Sequence, residues 1–119
     1  MTTIQQNLCA ELPSDWTFDR LPPREQLRLL ADCLSAELQR LRRSGQPPSY
    51  WQRIQLKQAI DFFAAGYFGS SLTRLRDAQQ PAPPDLPQVE KGARRWTQSF
   101  LEHALKQAEA HPRRRPRGA

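Results

Sequence analysis

The sequence predicts an all-α fold, a small bundle of about four helices with an antiparallel helical hairpin at its centre. Three observations carry this. The eleven prolines fall at 13, 22–23, 47–48, 81–87 and 112–116, and leave long proline-free intervals between them. Those intervals are rich in Leu, Ala, Gln, Glu and Arg, which favour helices, whereas β-branched residues are scarce, with three Ile and one Val. Leucines recur at the 3.6-residue period of an amphipathic helix. The expected organisation is an N-terminal arm over 1–20, a helical domain over 21–110 and an arginine-rich tail over 111–119.

In the arm, Ile4, Leu8 and Leu12 form a one-sided stripe suited to a short helix over 3–12, ending before Pro13. Ser14 and Asp15 supply turn or N-cap chemistry. Trp16 and Phe18 are costly to leave in water and would pin the arm to the main body or to a second subunit.

Pro22 and Pro23 open the clearest helix, with Pro23 at the first helical position and Glu25 in the first turn. Leu27, Leu30, Ala31, Leu34, Leu38 and Leu41 form its buried stripe, and Cys33 beside them reads as a small core residue. Arg40, Arg42 and Arg43 suit the carboxyl end, where cations offset free carbonyls, and Ser44-Gly45 stops the helix.

Six of the ten aromatic residues cluster in 49–80. Ser49 and Gln52 form a capping box after Pro47-Pro48. Trp51, Leu56, Ala59, Ile60, Phe62, Phe63 and Tyr67 cover over half the circumference of the following helix, which should be buried on two sides. Gly66 ends it, and a second helix carries Leu72, Leu75 and Ala78 on one face. Asp61 is expected on the exposed strip with Lys57 and Arg53.

Within 52–83, Ala59, Phe62, Gly66, Phe68, Ser71, Leu75, Ala78 and Pro83 fall at the intervals of a tetratricopeptide repeat, which this stretch resembles. The resemblance implies two helices folded back on each other. It covers one repeat, and Gln55 and Gln58 depart from the family's bulky residues in the first helix.

Residues 81–87, PAPPDLP, read as an extended connector. A last helix is expected over 88–110, with Val89, Ala93, Trp96, Phe100, Ala104 and Ala108 on its core face, flanked by Leu101 and Leu105. The tail has little apolar surface to offset its ordering entropy and should be unfolded.

Catalytic and metal chemistry find no support. His103 and His111 are two turns apart, Cys9 and Cys33 have no histidine nearby, and Gly66 and Gly69 lack the lysine of a phosphate loop. The expectation is a protein that is not an enzyme, with no cofactor, metal or small-molecule substrate. No basic region precedes a long apolar run, and no stretch approaches the roughly 20 apolar residues that span a bilayer, so a cytoplasmic protein is expected.

Two functional expectations remain. The first is a helical interaction module, an adaptor, chaperone or regulator, that binds a protein partner or its own copy in an apolar and aromatic groove. Tyr50, Trp51, Tyr67 and Phe68 are its anchors. The second is a nucleic-acid-binding accessory protein. Arg113, Arg114, Arg115 and Arg117 carry four of the six net positive charges, and with Lys91, Arg94 and Arg95 they would neutralise backbone phosphates.

Overall fold

A computed structural model of the chain describes residues 12–83 and 95–110. Among the described residues there are five helices and no strand: α1 (Asp15–Asp19), α2 (Pro23–Ser44), α3 (Tyr50–Ala65), α4 (Phe68–Ala78) and α5 (Gln98–Ala110). α3 lies between α4 and α5, α2 packs against all three, and α1 rests on α4. The all-α expectation is met. The expected helix over 3–12 and the arginine tail lie outside the described residues, apart from Leu12, which packs against the core.

The helix that opens the described chain is α1. The Ser14 hydroxyl accepts the Thr17 N–H at 3.2 Å, which satisfies one of the free donors of the first turn. Of its two aromatics only Phe18 pins the segment, being 1% exposed, whereas Trp16 is 69% exposed with the Arg20 guanidinium 4.5 Å from its ring centroid. Five residues have only about a turn and a half in which to point inward, so two aromatics two positions apart cannot both face the body. Arg76 closes the latch by donating to the Asp15 carboxylate and to the Pro13 carbonyl, both at 2.9 Å.

α2 follows the sequence closely. Pro23 occupies the first turn, Gly45 caps the end at φ 75°, and Leu30, Leu34, Leu38 and Leu41 are buried with Cys33. The stripe also carries Glu37 inward, at 1% exposure. Its carboxylate accepts from Arg40 (Nε 3.1 Å, Nη2 2.5 Å) and from Gln79 Nε2 at 3.1 Å, so α2 is tied to the residue that follows α4.

α3 begins with the complete Ser49–Gln52 capping box and ends at Gly66, whose φ of 89° is left-handed and strained for any residue with a Cβ. The Tyr67 N–H bonds back to the Phe62 carbonyl at 2.9 Å and turns the chain into α4. The pair is antiparallel. Trp51 Nε1 at the start of α3 donates to the Asp77 carbonyl at the end of α4 (2.8 Å), and the Ser71 hydroxyl donates to the Ala59 carbonyl (2.6 Å). Both Ala59 and Ser71 are fully buried, so small side chains set the close approach of the two helices.

The last helix starts ten positions later than the expected 88. Trp96 precedes it, and Thr97 begins it by accepting the Phe100 N–H on its hydroxyl at 3.1 Å. Hydroxyl capping at Thr97 competes with helix continuation and fixes the start. The core face is turned as well: Leu101, Leu105 and Ala108 are buried, whereas Phe100 is 39% exposed. Expected helical residues 88–94 lie outside the described residues.

Candidate interaction surface

Because α4 and α5 flank α3 and α2 closes one side, α3 presents its remaining side outward. That side carries Lys57, Gln58, Asp61 and Phe62, the i, i+1, i+4, i+5 positions of one helical strip. Lys57 Nζ lies 2.6 Å from an Asp61 oxygen and 5.5 Å from the Trp96 ring centroid. Asp61 faces solvent beside Lys57, as expected. Arg53, one turn before Lys57, donates to the Pro48 carbonyl at 3.0 Å and braces the turn before α3.

Asp61 forms a ridge with a groove on each side. Toward α5 the groove has a volume of about 500 Å³, is floored by Ile60, Ala64, Ala65, Ala104 and Ala108, and has Phe100 on its wall. Toward α4 a groove of about 530 Å³ runs past Gln58, Phe62, Ser70, Thr73 and Arg74. Phe62 and Phe100, 37% and 39% exposed, thus stand on one outward face on either side of one carboxylate. Isolated exposed rings are ordinary, but Phe100 on the wall of the alanine groove and Phe62 in the groove across the Asp61 ridge form a local apolar surface.

A third groove, between α2 and α5, is charged. Arg42 and Arg43 face Glu102, Lys106 and Glu109 over Leu38 and Leu105. Arg42 holds Glu102 through two bonds, one of them Nε to Oε2 at 2.8 Å. That hydrogen bonding outweighs the opposing effect of burial and, helped by a bond from Gln98 and by the Arg42 and Lys106 charges, lowers the Glu102 carboxyl from 4.5 to about 2. A depressed folded-state value stabilises the fold above the unfolded value and is lost as pH falls through the folded one. The melting temperature of the wild type should therefore exceed that of Glu102→Gln at neutral pH, and the gap should close between about pH 4.5 and 2. Circular-dichroism melts check this, and a gap independent of pH would remove the pair's role.

The four anchors expected from the sequence are not brought together. α3 has sixteen residues and is about 24 Å long, with Tyr50 and Trp51 at one end and Tyr67 and Phe68 beyond the other. Trp51 is half-buried and hydrogen-bonded, a pin across the open end of the hairpin. Phe68 packs on Phe63, with ring centroids 6.0 Å apart. Tyr67 is 41% exposed and adjoins the outward face at the hairpin turn. Sequence reasoning missed Phe62 and Phe100 as surface residues because it gave each to the core. The available signal was the neighbouring Phe63 and Leu101: adjacent helical positions diverge by about 100°, so one member of each pair must turn away.

Of the basic set, Arg95 is described and exposed, whereas Lys91, Arg94, Arg113, Arg114, Arg115 and Arg117 lie outside the described residues. Cys33 is buried and His103 exposed; Cys9 and His111 are not among the described residues. No three His, Cys, Asp or Glu side chains among the described residues could hold a metal ion. No described helix is long and apolar enough to cross a membrane. Comparison of the chain with protein-family models, curated proteins and solved structures finds no match. The tetratricopeptide likeness thus rests on the residues of the hairpin alone.

Proposed function

We propose that this chain is a non-enzymatic helical interaction module that receives a protein partner on the outward face of α3. The observation that carries the reading is the pair of exposed rings on either side of Asp61, Phe100 beside a groove floored by alanines and Phe62 in the groove toward α4. Apolar surface of this kind gains free energy when covered, at about 25 cal/mol for each Å² removed from water. The rim of Lys57, Asp61, Gln58 and Gln107 supplies polar groups that fix orientation around that centre. Tyr67, near one end of the face, is the anchor retained from the original four.

Paired affinity capture tests the reading. Wild-type chain and a Phe62→Ser/Phe100→Ser variant are used as baits, with and without nuclease, and helicity is verified by circular dichroism. A protein retained by the wild type, whether foreign or a second copy, and lost from the variant at equal helicity is the expected result. Capture unaffected by the substitutions, or abolished by nuclease alone, would overturn it, and the second outcome would favour nucleic acid.

A further inference from the structure

We infer that the occupant of the α3 face is a second copy of this chain, paired about a two-fold axis; this rests on reading that face as an interaction surface. An isologous contact requires one patch to carry both halves of every interaction, since residue i meets j and j meets i. The α3 face does so in shape. Phe100 projects at its α5 side, and beside it lies a groove lined by Ala64, Ala65, Ala104 and Ala108, whose methyl groups leave room for a ring. Projection and recess on the same surface allow each copy to fill the other.

Charge points the same way. Among the described residues, the charged groups that line this groove are Lys57 and Asp61, of opposite sign, so their sum is zero. The chain as a whole carries +6, so two copies repel on average but not through this face. The α2–α5 groove, with three cations and two acids, keeps a positive excess. A strongly acidic or basic partner would find no net charge among the described lining of this groove to recognise. A second copy finds its own complement, because Lys57 of one copy can pair with Asp61 of the other and the reverse. Inside one chain the Asp61 carboxylate of this pair is 59% exposed and within reach of a second copy, whereas the Lys57 side chain is 21% exposed and would have to extend past Trp96 to exchange.

Sedimentation equilibrium on the full chain, over concentrations from micromolar to hundreds of micromolar, is the test. The expected result is a reversible dimer weakened tenfold or more by Phe100→Ala and by Ala104→Arg. Charge exchange adds a readout that a folding defect cannot imitate. Asp61→Lys alone and Lys57→Asp alone should each self-associate poorly, because each places like charges across the axis. An equimolar mixture of the two should dimerise again, and so should the doubly exchanged chain. A monomer at every concentration would overturn the inference, as would a dimer indifferent to all four substitutions. If the chain is monomeric but the capture experiment still loses a foreign protein with Phe62→Ser/Phe100→Ser, the interaction surface stands and only its occupant changes. If both fail, the surface falls as well.

Discussion

Leu56→Ala is expected to lower the unfolding free energy by about 3 to 4 kcal/mol, in the middle of the range for a buried leucine. Leu56 is fully buried on α3. The cost of such a truncation is the lost transfer energy of the removed methyl groups plus a cavity term, and the cavity term depends on whether neighbours can relax into the space. α3 is held between α4 and α5 with α2 packed against it, so no single helix can shift inward without leaving another contact. Domains of this size have about 5 to 15 kcal/mol in total, so the variant should remain folded at room temperature with a much lower denaturant midpoint. Urea titration with an unchanged slope would give the value directly. Phe62→Ala, six positions later on the same helix but half outside the core, should cost less than half as much. Equal losses would mean that the outward side of α3 has been wrongly assigned.

The second large effect concerns Glu37 and Arg40. Arg40→Met should destabilise by about 2 to 3 kcal/mol, because it leaves a carboxylate at 1% exposure with Gln79 as its remaining described side-chain partner. The estimate is kept below that for a fully buried pair because the Arg40 side chain is 50% exposed and its charge is screened by water. Glu37→Gln should cost less, since it removes the buried charge along with the pairing and puts an amide of similar shape in its place. The double variant should then be close to Glu37→Gln alone, which a double-mutant cycle would report as a strong coupling. If Arg40→Met proves no worse than Glu37→Gln, the carboxylate is carried by Gln79 and solvent, and the arginine is incidental.

These two residues also show where the sequence was informative and where it was not. Leu56 was legible: it belongs to an apolar run between a capping box and a glycine, and every signal in that stretch is local. Ser49, Pro23, Gly45 and Gly66 fell into place for the same reason, because caps and stops depend on a few neighbouring residues. Glu37 sits on the leucine stripe, three after Leu34 and four before Leu41, and its position argued for burial while its charge argued against. What resolves the conflict is Gln79, 42 positions away, which no periodicity reveals. Helix α5 failed differently. The run around Trp96 has the composition of a helix, and the deciding feature was the hydroxyl of Thr97. The proposed interaction surface was the least legible part. Tyr50, Trp51, Tyr67 and Phe68 are close in number but separated by the length of α3, whereas Phe62 and Phe100 share a face only because the bundle places α5 beside α3.

The bonds that fasten the elements differ widely in the length of chain they enclose. Ser71 reaches the Ala59 carbonyl across 12 positions, whereas Arg76 reaches Asp15 across 61. Loop-closure entropy grows with the logarithm of that length, and the difference between these two closures is about 1.4 kcal/mol at room temperature. The α3–α4 hairpin therefore encloses little chain for the contacts it makes. The α1 latch, with five helical residues and one deeply buried ring, bears the longer closure with the smaller return, which places it at the low-stability end of the domain.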